Sequence, residues 1–256
     1  MALLELNIFS EALGMQQQVY VIMPQKSTKG EIGIENGEKQ GDGYKCLFLL
    51  HGLSDNHTIW LRRTSVERYA QEYGICVVMP FADRSFYTNM KYGGKYYTYI
   101  AKELPSILMQ MLHISPKRED HYIAGLSMGG YGALKIGLRE CETFCAAAGL
   151  SAVADIGWCK NRFPDDLKSI FGEDIVIPPE DDLFALAEMQ DSHPLKPRIY
   201  MGIGTEDVLY EGNLRLKAKF ETLHYDYTYR ESKGAHTWAF WDEYIQYVLE
   251  WLLQKA

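Results

Sequence analysis

Gly125-Leu126-Ser127-Met128-Gly129 fits G-x-S-x-G, the pattern of a nucleophile elbow, in which glycines permit a strained turn that lifts a serine oxygen clear of a sheet. So short a match gains its weight from its setting. His121-Tyr122-Ile123-Ala124 reads as a buried strand running into the motif, and Tyr131, Leu134 and Leu138 follow at helical spacing, with Gly130 and Gly132 allowing close packing. A serine is a poor nucleophile until a base takes its proton, so the pattern demands an imidazole close to it in space. Of the seven histidines, His236 fits best: it stands in Lys233-Gly234-Ala235-His236-Thr237-Trp238, after the strand-like run Tyr225 to Glu231 and before the last helical segment. His121 lies too close below the elbow to fold back over it.

The imidazole in turn needs a carboxylate that holds its tautomer and stabilises the imidazolium, at a strand end between Ser127 and His236. Asp207 qualifies, because it follows the Ile199 to Ile203 run in Gly202-Ile203-Gly204-Thr205-Glu206-Asp207. Its rival is Asp155, just after the Phe144 to Leu150 run. Acyl transfer also requires donors aimed at the developing oxyanion. One is expected from the backbone N–H of Met128, next to the nucleophile at a helix start whose dipole adds to the effect. The second is expected from the Leu53 N–H in His51-Gly52-Leu53-Ser54, with His51 packed beneath that loop and Ser54 and Asp55 bracing its turn.

Positioning these groups takes a sheet with helices around it. Cys46 to Leu50, Ile75 to Met79, Tyr122 to Ala124, Phe144 to Leu150 and Ile199 to Ile203 are short, continuous apolar runs, as in parallel strands buried on both faces. Segments of helical length separate them: Trp60 to Tyr73, Thr98 to Leu112, Met128 to Arg139, Leu214 to Leu223 and finally Trp241 to Leu253. This alternation predicts an α/β fold, a mostly parallel doubly wound sheet with helices on both faces. Leu3 to Phe9 and Gln17 to Met23 alternate instead, and read as a hairpin of edge strands. Pro24 to Gly43 shifts to Lys, Glu and Gly, as in an exposed, mobile loop. Asp155 to Pro197 is too long for a plain crossover and predicts a small cap. Of its aromatic residues Trp158, Phe163, Phe171 and Phe184, Trp158 is the one expected to wall the pocket, since it lies nearest the strand end.

The 256 residues carry 26 Lys+Arg against 34 Asp+Glu, a formal net charge of −8, and 47% are hydrophobic. That balance excludes a disordered chain and gives no electrostatic footprint for nucleic acid or an anionic membrane surface. MALLELNIFSEALG lacks a basic leader and carries Glu5 inside its only apolar run, so no secretory signal is expected. The longest nearly apolar stretch, Phe144 to Ala154, falls short of the ~20 residues that span a bilayer. A cytoplasmic protein is the expectation. Five scattered cysteines (Cys46, Cys76, Cys141, Cys145, Cys159) offer neither a disulfide framework nor a zinc knuckle. There is no H-E-x-x-H, no Walker pattern, and no third glycine after Gly202-Ile203-Gly204, so neither metal nor cofactor is expected.

The blocks LLHGLSDNHTIW, YYTYIAKELP, GLSMGGYGALK, GTEDVLYEGN and GAHTWAFWDEYI resemble the tributyrin esterase branch of the esterase D-like α/β-hydrolase family, which includes bacterial short-chain acyl esterases and some hydroxycinnamoyl esterases. The resemblance runs over nearly the whole chain. It implies an α/β-hydrolase fold over residues 1–256 as one domain, with the cap insertion at about 155–197. In that family nucleophile, acid and base fall on Ser127, Asp207 and His236, where the residues alone had put them. The related S-formylglutathione hydrolases show a histidine before the serine and S-G-L-T-C in the oxyanion loop; here stand Leu126 and His51-Gly52-Leu53-Ser54-Asp55. The expectation is a serine carboxylesterase for small short-chain acyl or aryl esters. Second readings are an S-formylglutathione hydrolase or thioesterase, a hydroxycinnamoyl (feruloyl) esterase and, from a different class, an inactive scaffold used for binding. Nothing in the chain excludes a homo-oligomer.

Overall fold

The chain opens with an antiparallel hairpin, β1 (Ala2–Ser10) and β2 (Met15–Met23), whose turn closes through a hydrogen bond from the Gly14 N–H to the Ser10 carbonyl. The computed structural model describes residues 1–25 and 43–253, so the segment expected as an exposed loop, Pro24 to Gly43, lies almost entirely outside the described residues. The apolar runs form β3 (Cys46–Leu50), β4 (Cys76–Pro80), β5 (His121–Leu126), β6 (Ala146–Leu150) and β7 (Arg198–Gly204), with β8 (Tyr227–Ser232) last. Every residue of β3 to β6 is buried, the physical meaning of runs without polar alternation.

All eight strands make one sheet in the order β1-β2-β4-β3-β5-β6-β7-β8, parallel from β4 through β8. Only β1 is an edge at the hairpin end; β2 pairs antiparallel with β4 and lies inside the sheet, contrary to the expectation of two edge strands. Its second half is accordingly buried, while β1 keeps one solvated face. The strand order reverses at β3. The chain leaves β3 for β4 on one side and returns to β5 on the other, which opens a crevice at the carboxyl ends of β3 and β5. In-register pairing of Leu50 with Gly125, Leu126 with Leu150, Leu150 with Gly202 and Gly204 with Ser232 brings the five carboxyl ends level along that crevice.

Helices cover both faces. Against one face pack α1 (Ile59–Arg63), α2 (Val66–Tyr73) and the C-terminal helix, burying Trp60, Val66, Tyr244 and Val248. The expected single helix from Trp60 to Tyr73 is thus two. The Thr64 hydroxyl donates back to the Trp60 carbonyl at 2.6 Å and accepts from the Val66 N–H, a local alternative to the helical ladder. Against the other face pack α3 (Tyr96–Thr98), a π-helical turn (Tyr99–Glu103), α4 (Leu104–Met111) and α5 (Met128–Arg139). Pro105 has no N–H to offer the previous turn, and the Leu104 N–H reaches five residues back to Tyr99, which accounts for the wider turn. Along the insertion follow α6 (Pro164–Phe171) and α7 (Leu183–Met189), then α8 (Tyr210–Glu221) and α9 (Trp238–Leu253).

Residues 155–197 serve two places. Their first part, with Trp158 and Phe163, walls the cavity over Ser127, while α7 packs on α5 and α8. Because α7 and the turn before it cover α5, that helix has no solvated face along its middle, and Lys135 is fully buried. Its ammonium donates to Thr88 Oγ1 (2.6 Å), Asp181 Oδ1 (2.9 Å) and the Phe86 carbonyl (3.2 Å). Burial draws Lys135 down to about 8, against the opposing pull of Asp181. Removing one partner of such a pair leaves buried charge uncompensated. Lys135→Met is expected to cost about 3 kcal/mol of unfolding free energy in urea titration; a loss below about 1 kcal/mol would show that Arg139, 3.5 Å from Asp181, satisfies that carboxylate alone.

Candidate active site

Ser127 sits between β5 and α5 at φ 54° and ψ −117°, a conformation that only a tightly supported turn sustains in a residue with a side chain. Its neighbours have to be glycine for steric reasons. A Cβ on Gly125 would lie 2.4 Å from the Gly129 carbonyl oxygen, and one on Gly129 would lie 2.5 Å from that of Leu50. Backbone bonds hold the turn in place: the Ser127 N–H donates to the Leu150 carbonyl, and the Ser127 carbonyl accepts from Tyr131 and Val153.

Two loops at the far end of the sheet bring the partners. His236 precedes α9, and its Nε2 stands 3.1 Å from Ser127 Oγ. Asp207, after β7, places its carboxylate oxygens 2.9 and 3.1 Å from His236 Nδ1, with its side chain fully buried. Burial pushes the Asp207 carboxyl up, but the hydrogen bond and charge of His236, the Leu209 N–H and the Ser151 hydroxyl outweigh it and hold the group below its ordinary value. An ionised Asp207 can only accept, so Nδ1 carries the proton and Nε2 presents a lone pair to the serine hydroxyl. Asp155, the rival acid, points elsewhere and pairs with Arg215 at 2.7 Å.

The loop after β3 faces the elbow. Leu53 and Met128 both line the cavity beside Ser127. The turn is closed by the Asp55 N–H donating to the Gly52 carbonyl, and His51 locks it from below. His51 Nδ1 lies 2.7 Å from the Gly52 carbonyl and Nε2 accepts from the Ala82 N–H at 3.0 Å, so the ring is a neutral bridge protonated at Nδ1. Burial, which drives His51 down to about 4, keeps it neutral. The Tyr87 hydroxyl donates to the His51 carbonyl.

Sequence reasoning did not reach the groups behind the acid and base. Trp241 Nε1 donates to Ser151 Oγ at 3.1 Å, which leaves the Ser151 hydroxyl proton for Asp207. The same indole meets the His236 ring edge-on at 4.8 Å, and Trp238 and Trp60 continue the edge-to-face series, with Trp60 Nε1 bonded to the Leu50 carbonyl. A signal existed: Ser151 follows a buried run directly, and Trp238 and Trp241 follow His236. Above the serine lies a cavity of about 480 Å³ walled by Trp158, Phe163, Trp238 and Leu209. Of the other aromatic residues expected in the roof, Phe171 lines a separate cavity and Phe184 packs into the core. Among the described residues no group of His, Cys, Asp and Glu is arranged to hold a metal ion, and no helix is long and apolar enough to cross a membrane.

A family model described as "Putative esterase" matches residues 10–251, and the chain belongs to that esterase family. An acetyl esterase of Caldicellulosiruptor saccharolyticus is 29% identical, over 98% of both chains. Among solved structures, the fluorophosphonate-binding serine hydrolase FphF of Staphylococcus aureus superimposes with a TM-score of 0.86 at 32% identity, and the S-formylglutathione hydrolase FrmB of the same organism with 0.85 at 33%, each over 99% of both chains. The fold is that of the α/β hydrolases, and the protein is a serine hydrolase of carboxylic esters.

The geometry separates the two candidate acids. Asp207→Asn is expected to lower kcat on a small ester by roughly 10³- to 10⁴-fold, through loss of the imidazole tautomer, and Asp155→Asn to change it by less than about threefold. Steady-state kinetics on both variants checks the ranking, and the reverse order would exclude Asp207.

Proposed function

We propose that this member of the esterase family hydrolyses small esters of short-chain acyl groups, or small aryl esters, through an acyl-enzyme on Ser127, with His236 as base and Asp207 as the acid that orients it. The observation that carries the reading is the unbroken series Ser127 Oγ, His236, Asp207 at the floor of a cavity large enough for a small ester. His236 Nε2 takes the hydroxyl proton as Ser127 Oγ attacks the ester carbonyl. The N–H groups of Leu53 and Met128 receive the developing oxyanion, the second reinforced by the start of α5. Collapse expels the alcohol, which takes the proton from His236; water then attacks the acyl-enzyme with the same imidazole as base.

The acetyl esterase relative supports the short acyl chain, and the S-formylglutathione hydrolase relative supports a second reading as a thioesterase. Parallel kinetics on a butyrate ester and on the glutathione thioester separate the two. We read residues 1–256 as one catalytic domain. Five unpaired cysteines, four of them buried, support a reducing, cytoplasmic setting.

Ser127→Ala is expected to reduce turnover by several orders of magnitude with the fold intact, and to abolish labelling by a fluorophosphonate probe. Comparable turnover by a clean preparation of the variant would sink the acyl-enzyme. Trp158, 40% exposed at the cavity wall, is expected to read the size of the acyl group. Trp158→Ala should change relative kcat/KM between short and bulky acyl esters by roughly 10- to 200-fold, mostly through KM. An unchanged profile across an ester panel would remove Trp158 from acyl recognition.

A further inference from the structure

Among the described residues one acidic and two guanidinium side chains line the cavity over Ser127: Asp55, Arg84 and Arg162. Two are engaged. Arg84 grips Asp166 through Nε and Nη2 at 2.8 and 2.6 Å, a bidentate pair that occupies its planar edge. Asp55, in the loop after β3, is half-buried; burial raises its carboxyl, and the Gly52 backbone, Arg63 and His236 oppose the rise.

Arg162 differs from both. Among the described residues no carboxylate lies within ion-pairing distance of it, although the chain carries eight more acidic than basic residues. Its guanidinium rests instead near the rings of Trp158 (5.5 Å) and Phe163 (5.8 Å), two of the aromatic walls of the cavity. Aromatic faces hold a guanidinium in place without using its in-plane N–H donors, and the group stays charged at every relevant pH. Its position therefore suits a planar anion arriving from the cavity.

Building on the esterase reading, we propose that Arg162 makes this a hydrolase with a preference for esters that carry a second, free carboxylate, which Arg162 binds while the ester carbonyl lies over Ser127. The carboxylate extends toward Trp158 and Phe163. The bond cleaved is the ester, with water as the only co-reactant; the second carboxylate stays intact and is carried away on one product. That carboxylate can belong to the acyl half or to the alcohol half of the ester, and substrates distinguish the two.

The test compares wild type, Arg162→Gln and Arg162→Lys on two matched pairs: monomethyl succinate against methyl butyrate for the acyl half, and 3-acetoxybenzoate against phenyl acetate for the alcohol half. The readout is the ratio of kcat/KM for the charged ester to that for the neutral one, so the neutral ester reports on folding and catalysis in each variant. Arg162→Gln is expected to lower the ratio roughly 5- to 20-fold in one pair, with Arg162→Lys retaining part of it, and added salt to lower the ratio in wild type but not in Arg162→Gln. The pair that responds identifies the half that carries the carboxylate. A ratio that stays within about twofold of wild type in both pairs, while neutral esters are still hydrolysed, overturns the proposal. Failure of the wild type on all four esters, charged and neutral alike, is a separate outcome that overturns the esterase reading beneath it.

Discussion

The strained backbone of Ser127 constrains everything around it. A non-glycine residue at φ 54° and ψ −117° costs on the order of 1–3 kcal/mol, and it persists because the sheet surrounds it with bonds that any relaxation would break. Ser127 hangs from the Leu150 carbonyl by its N–H and from Val153 and Tyr131 by its carbonyl, so the turn is tied to the neighbouring strand, to the loop beyond it and to its own helix. The elbow also has to pass within contact of Leu50 and His51, which fixes the distance from Ser127 to the loop after β3. Pairing of Leu50 with Gly125 and of Leu126 with Leu150 then sets which residues stand level with the serine. A shift of register would move the loop after β3, Ser151 and Asp207 together.

Electrostatics at the site works by fixing protons rather than by concentrating charge. Two imidazoles are each held in the Nδ1-protonated tautomer, for opposite purposes. His51 is buried, neutral and bonded at both nitrogens to backbone, which makes it a structural bridge beneath the loop. His236 is 29% exposed, gives its Nδ1 proton to an ionised carboxylate and leaves Nε2 for the serine. The difference lies in the partner of Nε2: a backbone N–H in one case, a hydroxyl that can lose its proton in the other. Behind Asp207 the Ser151 hydroxyl, itself accepting from the Trp241 indole, adds a donor to a carboxylate that burial alone would tend to neutralise.

The insertion after β6 links specificity to stability. Its first turns put Trp158, Arg162 and Phe163 at the cavity wall, while α6 supplies Asp166 to Arg84 on the neighbouring loop. Its later turns carry Asp181 to the fully buried Lys135 and lay α7 across α5, the helix that starts after Ser127. Substitutions at the wall can therefore alter what the cavity accepts with little effect on α5. Changes around Asp181 act on the scaffold of the elbow itself.

Much of this was legible in the sequence, because some features report local constraints. The G-x-S-x-G turn, the apolar runs of β3 to β7 and the position of His236 before the last helix each follow from residue type and spacing within a dozen residues. Periodicity reports whether a residue is buried, not what it is buried against, and there the sequence stopped. Asp155 and Asp207 both follow strands; only the tertiary structure turns one to His236 and the other to Arg215. The inward place of β2, the burial of Lys135 and the hydroxyl of Ser151 behind the acid depend on partners from about 45 to 90 residues away. That Arg162 has no carboxylate beside it among the described residues is a property of the folded surface, which no local pattern encodes. Strand identity is a matter of short-range chemistry, whereas the pairing of charges is decided by packing between distant segments, and that packing exists only once the sheet has set their register.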